Sequence, residues 1–185
     1  MSRPDEGQLL VRQTADRQEI AQVILRLARA IDRRDKTLLD DCFHPDATDD
    51  HGLFKGTARE FSDWVMEQLK SYERTQHIIA NQLIMLDGDA ASCESYFHAH
   101  HVVNGKSGAV NIVVAGRYLD RLERRDGVWK IAHRGVVYDW NRVDPSTDRW
   151  EEQPAMQTLP SGCASPQDPS YALFAKPPPR DSSPV

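Results

Sequence analysis

The sequence predicts an α+β fold, in which helices pack on one face of a curved, mostly antiparallel sheet. Apolar residues recur at helical spacing in the first part of the chain, up to Tyr72. Segments that alternate between apolar and polar residues follow, separated by turn residues, and this alternation is typical of strands. A chain of 185 residues is long enough for one such domain and an appendage.

Three helices are predicted before the sheet. Asp16 and Glu19 resemble a capping box, so the first helix is expected to begin at Asp16. Its apolar residues then recur every three or four positions: Ile20, Val23, Ile24, Leu27, Ala28 and Ile31. A short second helix is expected over 36–42 and ends before Pro45, and a third is expected over 57–72.

Four strands forming an antiparallel meander are predicted over 76–86, 90–103, 109–124 and 128–140. The last two are joined by Asp126-Gly127, a dipeptide that favours the positive φ angles of a two-residue hairpin turn. The segment before the third helix is expected to be a loop or a short edge strand.

The composition changes near residue 144, since nine of the eleven prolines lie at or after Pro145. We therefore expect an N-terminal extension over 1–15, a domain over 16–143 and a proline-rich arm over 144–185. Aromatic residues within the arm indicate that 150–174 packs on this domain or on a neighbouring subunit. Its end is expected to be disordered.

The composition argues against several classes of protein. Charged residues make up 28% and the net charge is -5, with no basic run, so nucleic acid is not an expected partner. No apolar run approaches the roughly 20 residues of a membrane span. Without an apolar leader segment, a cytoplasmic location is expected. The three cysteines lack CxxC spacing, so neither a disulfide framework nor a zinc site is indicated.

Four of the seven histidines lie on the first two predicted strands. Counting residues outward from a two-residue turn at 87–89 places His77 on the same face as His98 and His100, with His101 on the other face. A β-bulge would invalidate this count. The helix-facing side predicted in this way also carries Asn81, Tyr96, Tyr118 and His133. This mixed set is typical of a ligand pocket.

Asp32 lies at the end of the apolar stripe of the first helix. Ile24, Ala28 and Asp32 follow at intervals of four, so Asp32 is expected beside the pocket. A carboxylate there could orient His77 and stabilise its protonated form, giving an acid–base pair. Alternatively, Asp32 only ends the helix.

The chain resembles the SnoaL-like branch of the nuclear transport factor 2-like superfamily. The similarity runs from about Asp16 to Trp140 and is carried by "FHPDA", "GLFKG", "QHI" and "RYLDRLERRDGVWKIAHRGVVYDW". Within that family it is most similar to the branch of γ-hexachlorocyclohexane dehydrochlorinase and scytalone dehydratase. The resemblance implies a cone-shaped α+β barrel with a deep apolar pocket.

The resemblance also implies roles for individual residues. His77 corresponds to the catalytic base and Asp32 to its partner, while His98 or His100 corresponds to a second catalytic histidine. Substrate contacts are expected from four polar residues of this face, Tyr96, His100, Asn81 and Tyr118, and from His133 or Arg134 on the last strand.

These expectations favour a cofactor-free lyase that removes a proton from a small apolar substrate, aromatic or polycyclic. The leaving group would be water, halide or a small carbonyl fragment. An isomerase or cyclase would use the same dyad, and a binding or assembly module would use the pocket without catalysis. A limonene-type epoxide hydrolase needs an Asp–Arg–Asp set that cannot be placed here.

Neither an organic cofactor nor a metal is expected. The alternative is a zinc or iron site, in which His98 and His100 on one strand face His77. The outer face of the sheet is apolar enough to need cover, so a homodimer or homotrimer is expected.

Overall fold

The computed structural model describes residues 6–105, 108–149 and 152–175. The predicted class is confirmed: helices pack on a mostly antiparallel sheet, which is open rather than a closed barrel. The helices are α1 (Glu6–Asp32), α2 (Lys36–Asp41), α3 (Ala58–Gln68) and α4 (Ser170–Phe174). The strands are β1 (Phe43–Asp50), β2 (Lys55–Thr57), β3 (Tyr72–Asp87), β4 (Ala90–Gly105), β5 (Gly108–Arg125) and β6 (Val128–Pro145). Short 3₁₀ helices cover Leu69–Ser71 and Met156–Thr158.

The sheet has six strands in the order β2-β1-β6-β5-β4-β3. Four of them form the predicted antiparallel meander. The segment before α3, expected to be loop or a short edge strand, supplies β1, which runs parallel to β6, and β2 at the edge. Helices pack on one side of the six-stranded sheet, which we call the inner face, and we call the opposite side the outer face.

Helix α1 begins ten residues before the predicted start, at Glu6 rather than Asp16. Asp16 is therefore not a helix cap but a buried residue in mid-helix. Its Oδ1 accepts hydrogen bonds from Trp129 Nε1 at 3.0 Å and from Arg124 Nη1 at 2.6 Å. The contact holds the β5–β6 hairpin against the helix. It also explains why an acidic residue occupies position 16, which the sequence predicts to be the exposed start of the helix.

The predicted apolar stripe of α1 faces the sheet. Its aliphatic residues are almost fully buried, with Ile20, Ile24 and Leu27 at zero exposure. They pack with Phe61 of α3 and Trp129 of β6 in one core cluster. This packing fixes α1 against the inner face of the sheet.

A β-bulge interrupts the pairing of β3 with β4. Gln82 lies opposite Ser95, but the next pair is Ile79 with Phe97. Two residues of β3 therefore lie opposite one residue of β4. From Ile79 back to Arg74, the paired residues of β3 have partners one position away from those that the turn predicts.

The described part of the C-terminal arm packs on α1 of its own chain. The Arg29 guanidinium lies 4.6 Å from the centre of the Tyr171 ring and donates a hydrogen bond to Ser170 Oγ at 2.9 Å. The Tyr171 hydroxyl donates to Asp35 Oδ2 at 2.6 Å. The arm is thus anchored beside the end of α1. The predictions of a packed Trp150 and a disordered end concern residues 150 and 176–185, which lie outside the described residues.

Large apolar side chains remain exposed on the outer face, among them Ile78, Met85 and Tyr96. The predicted homodimer or homotrimer stays a prediction. In the described ranges, no helix is long and apolar enough to cross a membrane.

Replacing Asp16 with alanine should destabilise the fold by roughly 2–4 kcal/mol, because it leaves the buried Trp129 N–H and the partly buried Arg124 without their shared acceptor. Chemical denaturation would measure the change in the free energy of unfolding. Asp89 also binds Arg124, but its side chain is 71% exposed, so Asp89→Ala is a matched control expected to change stability by less than about 0.5 kcal/mol. Equal effects of the two substitutions would contradict the anchoring role of Asp16.

Candidate active site

An apolar cavity of about 630 Å³ lies between the helices and the inner face of the sheet. This volume is within the usual range for small-molecule sites. Aliphatic and aromatic side chains form most of its wall, including Ile31, Trp64, Leu69, Phe97, Ile112 and Val114. Polar side chains also line the wall, and three of them are histidines: His51, His77 and His101.

His77 and Asp32 are in direct contact at the edge of this cavity. Asp32 is the last residue of α1, and His77 lies near the start of β3. The His77 Nδ1–H donates to Asp32 Oδ1 at 2.7 Å, and the His77 backbone N–H donates to Asp32 Oδ2 at 2.9 Å. Their side chains are only 8% and 11% exposed. A carboxylate only accepts hydrogen bonds, so the neutral imidazole carries its proton on Nδ1 and its lone pair on Nε2.

A second histidine of this wall is His101, which the sequence placed on the opposite face. Its ring lies edge-on to the ring of His77, with centroids 5.5 Å apart, and stacks on Tyr72 at 4.9 Å. Its Nδ1 is hydrogen-bonded to Thr75 Oγ1 at 2.9 Å. Burial, together with the nearby His77, lowers the pKa of His101 to about 4. His101 is therefore neutral at neutral pH.

The prediction that His98 and His100 share the face of His77 is wrong. The β3 bulge places His77 opposite Ala99 instead of opposite either histidine. Because successive residues of a strand point to opposite faces, the change of one position turns His98 and His100 outward and His101 inward. The error came from counting residues across a bulge that nothing in the sequence marks.

The same change moves two other predicted pocket residues. Tyr96 lies on the outer face and is 42% exposed, and Asn81 is exposed at the bulge itself. Neither lines the cavity. On the outer face, His98 lies near Trp140, with ring centroids 5.8 Å apart, and His100 Nε2 is 3.2 Å from Asn111 Oδ1.

The alternative of a metal site needed His77, His98 and His100 on one face, and the structure separates them. In the part of the chain that the structure describes, no group of three His, Cys, Asp or Glu side chains is placed to hold a metal ion.

A second bulge changes the faces of β6. Ile131 lies opposite Leu122, but His133 lies opposite Arg121, so Ala132 is the extra residue. His133, predicted to face the pocket, is consequently exposed on the outer face. Its Nδ1 is 2.7 Å from Thr48 Oγ1.

Tyr118 and Arg134 lie on the inner face, but they differ in their access to the cavity. Tyr118 lines the wall and stacks on Phe97 at a centroid distance of 4.4 Å. Burial raises the pKa of its hydroxyl. Arg134 is fully buried behind it, donates two 2.7 Å hydrogen bonds to Asp120 and lies 4.0 Å from the centre of the Tyr118 ring. The predicted substrate contact of Arg134 is therefore not formed, because the guanidinium binds Asp120.

His51 is the third histidine of the wall. The sequence places it in a loop, either at the surface or near the mouth of the pocket. Its Nδ1 is hydrogen-bonded to Asp49 Oδ1 at 2.8 Å, and its ring stacks on Phe61 at 4.5 Å. The spacing of Asp49 and His51, two positions apart, was the available signal. Residues at this spacing on an ideal strand share a face, but the spacing does not indicate whether that face is the inner or the outer one.

Residues 12–135, more than half of the chain, match the SnoaL-like domain. The chain belongs to the SnoaL-like family. This confirms the resemblance inferred from the sequence. An uncharacterized protein of Mycobacterium tuberculosis is 33% identical over 91 residues, which are 48% of this chain and 62% of that protein. The match thus spans less than two thirds of the length of this curated relative.

Solved structures of similar fold include a hexachlorocyclohexane dehydrochlorinase, LinA type 2. It superposes with a TM-score of 0.66 at 19% identity, over 74% of this chain and 96% of that one. A scytalone dehydratase candidate from Novosphingobium aromaticivorans superposes with a TM-score of 0.63 at 19% identity, over the same shares. At these identities the likeness shows the fold.

The lowered pKa of His101 predicts a pH dependence of stability. Below about pH 6.5 the unfolded chain binds a proton that the folded chain excludes, so the free energy of unfolding falls as the pH drops from about 6.5 to about 4. His101→Asn should reduce this slope by roughly 1 kcal/mol per pH unit. Urea denaturation across that range would measure it, with His98→Asn on the outer face as the control. Equal slopes for wild type and His101→Asn would contradict a buried neutral histidine.

Proposed function

We propose that the protein is a cofactor-free lyase in which His77 removes a proton from carbon and Asp32 orients and stabilises the imidazole. The observation that carries this proposal is the contact of His77 with Asp32 at the wall of an apolar cavity. The fold supports it, because solved structures with this fold include proteins named as a dehydrochlorinase and as a scytalone dehydratase candidate.

The geometry of the pair suits a general base. Asp32 engages both the side chain and the backbone of His77, so the imidazole cannot rotate freely. With Nδ1 bound to the carboxylate, Nε2 is the nitrogen that accepts the substrate proton. The imidazolium formed in this step is stabilised by the adjacent negative charge in a site that largely excludes water.

The cavity wall favours a small apolar substrate, aromatic or polycyclic. Trp64, Phe97 and Tyr118 offer flat surfaces for a ring, and Ile112 and Val114 add aliphatic contacts. The proton would come from a carbon acidified by a neighbouring carbonyl or ring. Its loss would be followed by departure of water, halide or a small carbonyl fragment. With no leaving group, the same proton step would give an isomerase or a cyclase.

The test uses aryl ketones of one to three rings that carry a β-chloro group, since chloride leaves without a proton and turnover then reports proton abstraction. We expect His77→Asn to lower kcat/KM by about 10²–10⁴-fold, because asparagine retains an N–H for Asp32 and lacks the basic Nε2. Asp32→Asn should lower kcat more than it raises KM. Alkene formation measured by absorbance, corrected for the uncatalysed rate, gives both constants.

The matched control is His98→Asn, which removes an imidazole from the outer face of the sheet and should leave turnover unchanged. The proposal fails if the wild-type protein accelerates elimination from no member of the series. It also fails if His77→Asn eliminates chloride as fast as the wild type.

A further inference from the structure

A second histidine–carboxylate pair faces the cavity that His77 lines. The His51 Nδ1–H donates to Asp49 Oδ1 at 2.8 Å, just as His77 uses its Nδ1 for Asp32. Both rings line the same cavity. In each case the carboxylate occupies Nδ1, which leaves Nε2 as the nitrogen for a ligand.

The ring of His51 is held in place from several sides. It stacks on Phe61 with an interplanar angle of 19°. Its backbone N–H donates to the Phe54 carbonyl at 2.8 Å, and its carbonyl accepts a hydrogen bond from the Tyr138 hydroxyl at 3.0 Å. Its side chain is 15% exposed. A loop residue fixed to this degree is preorganised for a single orientation.

The carboxylate of Asp49 is buried but has few hydrogen-bond partners. Asp49 is 1% exposed, and burying a charge is costly unless it is well paired. The buried Arg134 interacts with Asp49 electrostatically, but its two hydrogen bonds go to Asp120. Within the described ranges, Asp49 Oδ2 has no hydrogen-bond partner, so the hydrogen bond to His51 is the one that its side chain makes.

His101, the other histidine of the wall, is a poor proton donor. Its Nδ1 is bonded to a neutral hydroxyl, Thr75, and burial lowers its pKa to about 4. It therefore carries no proton to release as an imidazolium at neutral pH. An imidazolium at His51 would instead be stabilised by a buried carboxylate in direct contact.

We propose that His51, held by Asp49, is the general acid of this site and that the physiological leaving group is an oxygen, as in a β-hydroxy carbonyl compound. This inference rests on the proposed function of His77. The C–H proton passes to His77 Nε2 and the C–H electron pair forms the C=C bond. The C–O bond breaks with its electron pair on oxygen, and the Nε2 proton of His51 completes a molecule of water. Solvent then returns a proton to His51 and takes one from His77.

Two substrates that differ only in the leaving group test the assignment. One is the β-hydroxy ketone formed from benzaldehyde and acetone, and the other is its β-chloro counterpart. Hydroxide is a poor leaving group without a proton, whereas chloride needs none. His51→Asn, which keeps an amide donor for Asp49, should slow loss of water by about 10²–10⁴-fold and change loss of chloride by less than about threefold. His77→Asn should slow both, and His98→Asn should slow neither.

The outcomes separate the two proposals. In one outcome, His51→Asn slows both substrates equally and His77→Asn is also impaired on both. This result assigns His51 a structural role and overturns the inference, while His77 remains the base. Normal loss of water in His51→Asn overturns it in the same way. A third outcome is that the wild type eliminates both water and chloride while every variant eliminates neither. This result would also give His51 no specific role as an acid.

If the wild-type protein eliminates neither water nor chloride, a binding measurement tests the inference instead. Side-chain ¹⁵N NMR of the histidines is recorded while the β-hydroxy ketone is added. The inference expects the Nε2 resonances of both His51 and His77 to shift. A shift at His77 alone overturns the role of His51, and no shift at either histidine contradicts the proposed function as well.

Discussion

The contact between Asp32 and His77 is the constraint on which the site depends. It joins the last residue of α1 to the first part of β3, so the helix end, the sheet edge and the cavity wall are fixed by one pair of hydrogen bonds. A carboxylate buried to this extent is tolerated because the backbone and the imidazole of the same residue both bind it. The arm, packed on α1 through Arg29 and Tyr171, reinforces the position of the helix end.

The β3 bulge is the second constraint, because it decides which imidazoles meet the cavity. One extra residue in β3 brings His101 beside His77 and leaves His98 and His100 on the outer face. The cavity wall therefore holds His77, which we propose as the base, its neutral neighbour His101, and His51 with its partner Asp49. Carboxylates bind the Nδ1 atoms of His77 and His51, whereas His101 Nδ1 binds the neutral hydroxyl of Thr75.

Much of the fold could be predicted because its signals are local. The apolar stripe of α1, the capping of α3 at Thr57 and the Asp126-Gly127 turn each depend on a few neighbouring residues. The contact of Asp32 with His77 was also within reach, since the stripe placed Asp32 beside the pocket and the family resemblance paired it with His77. The start of α1 was missed because Asp16 resembles a cap, whereas it binds Trp129 more than a hundred positions away.

Features that depend on an inserted residue could not be predicted. Each of these two bulges reverses the facing of the residues next to it, and this displaced His98, His100, Tyr96 and His133 from the predicted pocket. The role of Arg134 was missed for a different reason, because its partner Asp120 lies on another strand. Such pairings are decided by register and burial rather than by local sequence.

The most direct measurement of the central claim separates proton abstraction from elimination altogether. α-Tetralone, an aryl ketone without a leaving group, is incubated with the protein in D₂O, and deuterium uptake at the carbon beside the carbonyl is followed by NMR. The wild-type protein and His98→Asn should catalyse the exchange at equal rates, and His77→Asn should not exceed the background. Exchange by His77→Asn at the wild-type rate would contradict His77 as the base.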